Sequence, residues 1–293
     1  MILNRRQFIL TSVTSLLVPQ SLLAGQNPKL SFGMLTDAHY SEAEARGTRY
    51  YRESIDKMRE CIRIMNNHKV DFLVELGDMK DQDSPPVESQ TIKYLQAIEA
   101  EFQKFDGARY HALGNHDMDS ISKKQFLMNV ENTGIAQDKS YYSFDKGGLH
   151  CIVLDANFTS DGIPYDHGNF DWTDANIPRE EQDWLKNDLS NTNKPVIVFL
   201  HQLLDGEGSV YIKNAAQVRK ILEASNKVIT VFQGHHHAGQ YNQINKIHYV
   251  TLKAVIEGSG EENNAFAIAN FEQDLIVIRG YRKAVSRNLE INS

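Results

Sequence analysis

Five clusters of polar residues, well separated along the chain, carry the side chains best suited to binding metal ions. They are Asp37-Ala38-His39, Gly77-Asp78-Met79-Lys80-Asp81, Gly114-Asn115-His116-Asp117, His201 and Gly234-His235-His236-His237. Mixed ligation by imidazole nitrogen and by carboxylate or amide oxygen suits manganese, iron, zinc or cobalt rather than calcium. A carboxylate also has two oxygens, so one aspartate is able to bridge two ions. The residue types therefore predict a transition-metal site.

Each cluster directly follows a short apolar run that is typical of a buried strand. The runs cover residues 30–36, 70–76, 108–113, 195–200 and 228–232. Because side chains at the carboxyl ends of strands converge on one edge of a sheet, we expect the clusters to meet there. Glycines precede Asp78, Asn115 and His235, where the backbone must turn sharply or approach an ion closely. The clusters therefore indicate one composite site.

The rest of the sequence alternates helical patterns with further strands. Helices are predicted over 50–66, 87–105, 179–189 and 215–224, a hairpin over 143–154, and antiparallel strands over 248–252, 265–270 and 275–281. Because no repeat or linker divides the sequence, residues 26–293 are predicted to form a single domain. This order of elements predicts an α/β fold, a four-layer αββα sandwich of two mixed sheets flanked by helices.

One long segment, residues 157–178, has neither helical nor strand periodicity. It is rich in Asp, Gly and Asn, and it carries Tyr165, Phe170 and Trp172. A loop of this length inside a compact domain is usually functional or disordered, and we interpret it as an insertion that selects the substrate. Two interpretations of its aromatic residues stay open: they stack on a base of the substrate, or they only anchor the loop.

The composition excludes one class of partner and suits a globular enzyme. The formal net charge is -7 at pH 7, so binding of DNA or RNA is not expected. An apolar content of 41% is ordinary for a domain with a sizeable core. The two cysteines, Cys61 and Cys151, are interpreted as buried free thiols, and one disulfide in an oxidising compartment is the alternative.

The N-terminus resembles a bacterial twin-arginine export signal. Arg5 and Arg6 precede Phe8 and a mildly apolar stretch that ends near Ala24. The stretch is too short and too polar for a membrane span, so no stable membrane span is expected. Residues 1–25 are therefore predicted to direct the protein through the twin-arginine export machinery to the bacterial periplasm. Leu22 is a poor match to the usual residue before a cleavage site.

The order of the five clusters resembles that of the calcineurin-like metallophosphoesterase superfamily, which is D-x-H, G-D-x-x-D, G-N-H-[DE], H and G-H-x-H. The resemblance covers essentially the whole chain after the signal. It implies two divalent transition-metal ions, with manganese favoured and iron, zinc or cobalt as alternatives. One ion would take Asp37, His39 and His237, the other Asn115, His201 and His235, with Asp78 bridging both. Hydrolysis would proceed by attack of a metal-bridging hydroxide on phosphorus.

The same resemblance gives roles to residues beside the ligands. His116 would assist the leaving oxygen or stabilise the transition state, and Asp117 would orient its imidazole. Asp81, where purple acid phosphatases place an iron-binding tyrosine, is interpreted as a neighbour of the ligands. His236 lies between two ligands on a segment that we expect to be extended, so its side chain is predicted to face away from them.

A narrower resemblance points to the manganese-dependent ADP-ribose/CDP-alcohol diphosphatase branch. It rests on residues 49–54, 181–185 and 249–257, although Asp117 stands where that branch commonly has Glu. It implies a small-molecule phosphate substrate, a compound linked through a nucleoside diphosphate. Substrate contacts are predicted at Arg49, Tyr165, Phe170 and Trp172, with a solvated helix start as the alternative for Arg49. A broad phosphomonoesterase is the competing function, and a non-catalytic binding scaffold is a more distant one.

Overall fold

The computed structural model describes residues 30–272 and 274–291. The predicted export signal at residues 1–25 lies outside these residues. Within them the chain forms twelve β-strands, five α-helices and three short 3-10 helices. No described helix has the length and apolar character that a membrane crossing requires.

The first sheet contains six strands and joins the beginning of the domain to its end. Its members are β1 (Leu30–Leu35), β2 (Phe72–Glu75), β3 (Ala108–His111), β10 (Ala265–Phe271), β11 (Leu275–Arg282) and β12 (Arg287–Glu290). The spatial order is β12-β11-β10-β1-β2-β3. Strands β1, β2 and β3 run parallel, whereas β10, β11 and β12 are antiparallel to their neighbours.

The second sheet also has six strands and lies between the first sheet and the last two helices. Its members are β4 (Tyr142–Lys146), β5 (Leu149–Val153), β6 (Val196–Phe199), β7 (Val228–Gln233), β8 (Gln240–Ile244) and β9 (Ile247–Thr251). The order is β4-β5-β6-β7-β9-β8, with the four central strands parallel and both edge strands antiparallel.

The two sheets pack face to face on a shared apolar core, and helices cover their outer faces. Phe32 of the first sheet lies edge-on to Phe199 of the second, with ring centroids 5.8 Å apart. The first sheet is covered by α1 (Ser54–His68), α2 (Glu88–Phe102) and α3 (Lys123–Asn129), and the second by α4 (Arg179–Asn191) and α5 (Ala215–Ser225). The predicted four-layer αββα sandwich of two mixed sheets is confirmed.

The apolar periodicity of α1 explains how a helix covers the first sheet. Met58, Cys61, Ile62 and Met65 recur on one face and are all buried in the core beneath the sheet. The helix ends where Lys69 takes a left-handed conformation with φ of 52°. Cys61 and Cys151 are both free and buried, in agreement with the sequence interpretation.

Four elements differ from the sequence-based expectations. The helix α3 was not predicted, although Ser122 and Gln125 form a capping box at its start, because seven residues give little periodicity. Strands β8 and β12 were also missed. Strand β9 pairs in parallel with β7, and the expectation of antiparallel pairing holds only on its β8 side. All five residues of β9 are buried, which is typical of a central parallel strand.

Candidate metal centre

The five polar clusters meet at the carboxyl ends of β1, β2, β3, β6 and β7. Backbone hydrogen bonds tie the first two clusters together: Asp37 N–H donates to Gly77 O at 3.0 Å, and His39 N–H donates to Asp78 O at 2.8 Å. The cluster after β7 joins the residue after β6 through Gly234 N–H and His201 O, at 3.0 Å. The shared edge of the sheets therefore brings distant parts of the sequence together.

Several of the predicted ligands occupy a strained region of backbone conformation. Asp37, His39, Asp78 and His235 have positive φ angles of 55°, 46°, 58° and 63°. Non-glycine residues adopt this left-handed region at a cost of order 1–3 kcal/mol each, and such residues cluster at functional sites. The conformation turns successive side chains into the same space, which a regular strand would send to opposite faces.

Gly114 is required because the backbone before Asn115 passes very close to Asp78. A Cβ atom at position 114 would lie 2.2 Å from both the backbone nitrogen and Oδ1 of Asp78. Real side chains do not approach so closely, so only glycine fits here. This close approach lets His116 N–H donate to Asp78 Oδ1 at 2.7 Å, which fixes one carboxylate oxygen.

Two groups of ligating atoms share a single carboxylate. In the first group, Asp37 Oδ1 lies 3.4 Å from His237 Nε2 and 3.7 Å from His39 Nε2. In the second, His201 Nε2 lies 3.1 Å from Asp78 Oδ2 and 3.2 Å from His235 Nδ1. Asp78 Oδ2 also lies 3.5 Å from His39 Nε2, so it stands between the two groups.

Unpartnered buried atoms indicate what the two groups lack. Asp37 Oδ1, His39 Nε2 and Asn115 Oδ1 are buried and have no hydrogen-bond partner among the residues that the structure describes. Burying a polar atom without a partner costs roughly 1–3 kcal/mol, as judged from mutational data. A cation in each group would satisfy these acceptors, and the mixture of carboxylate, imidazole and amide donors suits a divalent transition metal. The residues therefore fit two metal ions.

The charges of the protein alone are arranged around the same two groups. Burial opposes ionisation of Asp37, but His237 and His201 hold the pKa of its carboxyl well below the usual range. His201 is also buried, yet Asp78 and Asp37 raise its pKa to about 9. Burial and the neighbouring His201 lower the pKa of His235 to about 3. The carboxylates are ionised and ready to bind a cation, and His235 offers a neutral imidazole.

His116 faces the cleft beside the ligands and is held by carboxylates. Its Nδ1 lies 3.5 Å from Asp81 Oδ1 and 3.9 Å from Asp119 Oδ2. Burial lowers its pKa, but Asp78, Asp119 and Asp81 outweigh burial and raise the pKa well above its usual value. Lys80, fully buried, donates to His116 O at 2.6 Å and also pairs with Asp119. Asp81 also lies 3.5 Å from Nδ1 of His39. It is therefore a neighbour of a predicted ligand, as the sequence indicated.

The expectation that Asp117 orients the His116 imidazole is wrong. The Asp117 carboxylate is fully buried and accepts backbone N–H groups from Asp78 and Met79 at 3.0 Å and from Gly114 at 2.8 Å. Burial and Asp78 raise its pKa to about 6. The two residues share a short 3-10 helix whose geometry sends their side chains in different directions. Asp117 holds the two ligand-bearing loops together instead.

Two further predictions about side-chain direction are corrected. His236 lines the cleft with its neighbours, because the positive φ of His235 makes the segment a turn rather than an extended strand. Tyr165 is fully buried in the core, where its ring stacks on Phe170 at 3.9 Å, so it presents no face to a ligand. Phe170 is turned to the same core. Of the three aromatic residues, Trp172 alone lines the cleft.

The entrance to the site is a cleft of about 690 Å³. Arg49 and Trp172 form part of its rim, with 38% of the Arg49 side chain and 45% of Trp172 exposed. Glu257, which was not predicted as a site residue, accepts a hydrogen bond from His237 Nδ1 at 2.6 Å and lies 4.0 Å from Arg49 Nε. This contact fixes the tautomer of His237 and turns its Nε2 toward Asp37.

A buried amide links two ligand-bearing segments from beneath. Asn157 Nδ2 donates to Leu113 O at 2.7 Å, and Asn157 Oδ1 accepts from Gln202 Nε2 at 2.6 Å. Leu113 precedes the Asn115 segment, and Gln202 follows His201 directly. Asn157 is fully buried and opens the long loop, so the loop begins at a fixed point under the site. In the sequence, the only indication of this role was the position of Asn157 after a predicted strand.

The geometry agrees with the comparisons to known proteins. The model of one family, described as calcineurin-like phosphoesterase, matches residues 30–239, more than half of the chain. The matched stretch contains all five clusters. Similarity to individual proteins covers a larger share of the chain than this match.

Two relatives and one solved structure are similar over most of their length. The manganese-dependent ADP-ribose/CDP-alcohol diphosphatase of Arabidopsis thaliana is 26% identical over 278 residues, covering 80% of this chain and 88% of the relative. A Danio rerio protein with the same name is 22% identical over 311 residues, covering 87% and 96%. The structure of a dimetal phosphatase from Danio rerio superposes with a TM-score of 0.78 at 19% identity, covering 91% of this chain and 100% of that one.

Proposed function

Because this chain belongs to the calcineurin-like phosphoesterase family and is a metal-dependent phosphoesterase, we propose that its substrates are compounds linked through a nucleoside diphosphate. The observation that carries the proposal is the similarity, over most of both chains, to relatives named for ADP-ribose and CDP-alcohols. The cleft supports it, since a rim tryptophan beside a metal-facing floor suits a phosphoanhydride that carries a bulky organic group.

We assign the ligands to two ions of a divalent metal, with manganese favoured. Asp37, His39 and His237 would hold one ion. Asn115, His201 and His235 would hold the other, and Asp78 would be shared. When bound, such a pair neutralises phosphoryl oxygens and activates water for attack on phosphorus. The chain's own part is to fix donor directions before the substrate arrives, through Glu257 on His237 and through the carbonyl of Leu76, 2.8 Å from His201 Nδ1.

His116 is proposed to hold the proton that the leaving oxygen takes. Its Nδ1 faces Asp81 and Asp119, which leaves Nε2 for the substrate. The surrounding carboxylates favour the protonated imidazole, which is able to donate to an oxygen as the bond to phosphorus breaks. Such a donor contributes typically about 10²–10⁴-fold to the rate. Asp119 and Asp81, rather than Asp117, position the ring.

At the rim, Trp172 is proposed to stack on the organic group and Arg49 to contact a phosphate. The Trp172 ring centroid lies 5.7 Å from that of His235, so a base lying on it would reach the metal-facing floor. Arg49 is within 4.0 Å of Glu257 and lines the same cleft. A broad phosphomonoesterase is the alternative, in which the loop only shields the site from water.

A substrate panel with the manganese-loaded protein separates these functions. The panel contains ADP-ribose, a CDP-alcohol, bis(p-nitrophenyl) phosphate and p-nitrophenyl phosphate. We expect the two diphosphate compounds to have the highest kcat/KM. If simple monoesters are best, the phosphomonoesterase alternative is correct. If none is hydrolysed although two metal ions are bound, the chain is a binding scaffold.

We also propose export in folded form through the twin-arginine route to the periplasm. The support is the order of Arg5, Arg6, Phe8 and the apolar stretch that follows. Replacing Arg5 and Arg6 by lysine keeps the charge and removes the arginine pair. We expect the variant to stay in the cytoplasm, as measured by cell fractionation. Undiminished periplasmic protein would contradict the route.

A further inference from the structure

A second pocket, of about 500 Å³, adjoins the metal-facing cleft. The two cavities share Thr48, His237 and Glu257 as walls, so one predicted ligand, His237, borders both. The second pocket is also lined by Lys253 and Lys283, for which we call it the lysine pocket. Nothing in the ligand assignment uses either lysine.

The charge of the lysine pocket is positive, in contrast to the acidic floor of the cleft. Within residues 30–272 and 274–291, neither Lys253 nor Lys283 forms an ion pair. The carboxylate in the wall, Glu257, is engaged by His237 at 2.6 Å and lies 4.0 Å from Arg49. The nearby Glu261 lies 3.8 Å from Arg282. Two lysines therefore line a pocket whose wall carboxylate is already paired, which favours an anionic ligand.

Lys253 is held in place by the turn that carries His237. Ala254 N–H donates to His237 O at 3.1 Å, which ties the segment after β9 to the ligand's own backbone. Gly239 completes the turn with φ of 69°, and a Cβ atom there would lie 3.1 Å from Lys253 Cγ. The stem of the lysine therefore lies against the same turn that positions the ligand.

The opposite wall is made rigid by a third lysine. Lys57 is almost fully buried and donates to the carbonyl oxygens of Val255 at 2.7 Å and Gly258 at 2.6 Å. It also donates to Glu257 O at 3.2 Å. Lys283 N–H donates to Asn264 O at 2.9 Å, which places Lys283 beside the same wall. The pocket is therefore a fixed feature of the fold rather than a gap between mobile loops.

We propose that the lysine pocket binds a second anionic group of the substrate, the phosphoryl group that is not under attack, together with the organic part attached to it. This rests on the proposed function, because a nucleoside-diphosphate-linked compound has two phosphoryl groups. When one of them lies over Asp37 and Asp78, the other needs cations of its own. Arg49 is the only arginine or lysine in the described lining of the cleft, and Lys253 and Lys283 supply two more next to it.

Two substrates that differ in the number of phosphoryl groups test the subsite. ADP-ribose has two, whereas p-nitrophenyl thymidine 5′-monophosphate has one and still carries a nucleoside. The variants are Lys253→Ala, Lys283→Ala and the double variant. Lys220→Ala, at an exposed position on α5, is the matched control for loss of one positive charge. Metal content and unfolding temperature are measured for each variant, so that a folding defect is recognised separately.

For the double variant we expect kcat/KM on ADP-ribose to fall by about tenfold or more, the loss typical of a charge-assisted hydrogen bond. For the double variant, kcat/KM on the one-phosphoryl substrate should stay within about twofold of that of the unaltered protein, the scale of an exposed charge. The kcat/KM of Lys220→Ala should stay within the same range. Lys253→Arg keeps the positive charge and should retain most of the kcat/KM on ADP-ribose that Lys253→Ala loses. An equal loss on both substrates, or no loss on ADP-ribose, overturns the subsite while the proposed function stands. An unaltered protein that does not hydrolyse ADP-ribose or CDP-alcohols overturns both.

Discussion

The floor and the rim of the metal-facing cleft are held in different ways. The floor consists of the seven predicted ligands: Asp37, His39, Asp78, Asn115, His201, His235 and His237. Most of these are buried, several have strained backbones, and some of their atoms have no partner within residues 30–272 and 274–291. The rim, formed by Arg49, Trp172 and Val210, is largely or partly exposed. The floor is therefore fixed by what it must bind, whereas the rim is less constrained by its surroundings.

The largest effect outside the ligands is expected at His116, which stands over the floor. His116→Ala should retain its metal ions and lose kcat by ~10²–10⁴-fold, as expected for a general acid. The loss should shrink for substrates with good leaving groups, because these need less protonation. The check is kcat for a nitrophenyl and an alkyl ester together with metal analysis. An equal loss for both esters would assign His116 a positioning role instead.

A smaller effect is expected at Glu257, which connects the floor to the rim. Glu257→Ala removes the acceptor that holds His237 Nδ1 and should weaken binding of one metal ion by roughly 10–100-fold. The second ion, held through His201 and His235, should be affected much less. Stepwise metal titration measures the two affinities. Equal weakening of both ions would show that Glu257 acts on the fold rather than on His237.

Under the floor, Asn157 should matter for stability more than for substrate choice. Asn157→Leu leaves Leu113 O and the Gln202 amide without partners, at a cost of about 1–3 kcal/mol for the buried groups. Denaturant unfolding measures the change in free energy. Asn187→Leu, at an exposed position on α4, provides a control substitution of the same kind. Similar stability of the two variants would exclude a supporting role for the buried amide.

The smallest effect is expected at the rim, and it should depend on the substrate. Trp172→Ala should raise KM for a nucleotide-linked substrate by an amount equivalent to ~1–3 kcal/mol, the contribution of one stacked base. KM for small aryl phosphates should hardly change. Phe170→Ala is a useful comparison, because Phe170 belongs to the same loop but packs on buried Tyr165. A uniform effect of Trp172→Ala on every substrate would make the rim a shield rather than a recognition surface.

The same contrast explains which features the sequence predicted. The ligand-bearing loops were predictable because each has a local pattern, a strand followed by a polar residue, and in three of the five a glycine stands between them, as at Gly77 and Gly114. The partners of His116 were not predictable from the sequence. The 3-10 helix turns Asp117 toward backbone amides, and the carboxylates beside His116 are Asp119 and Asp81. Asp81, Asp117 and Asp119 are alike in the sequence. Only the direction of the backbone decides which of them faces His116.

The rim was the least predictable part. Tyr165, Phe170 and Trp172 are all aromatic residues of one irregular loop, so the sequence offered no periodicity to separate them. The fold separates them, because two of the three complete the core between the loop and α3 while one remains exposed. His236 was misplaced for a related reason, since alternation of side chains holds in a strand but not in a turn.

Metal content of the unaltered protein and of Asp78→Asn tests the central claim most directly. Asp78 Oδ2 stands between the two groups of ligands, so its replacement should disturb both. After loading with manganese and removal of free metal, the unaltered protein should hold two ions per chain, and Asp78→Asn should hold clearly fewer. Removing His39 should lower the occupancy of one ion only. Two ions retained by Asp78→Asn, or a single ion in the unaltered protein, would contradict a shared two-metal centre.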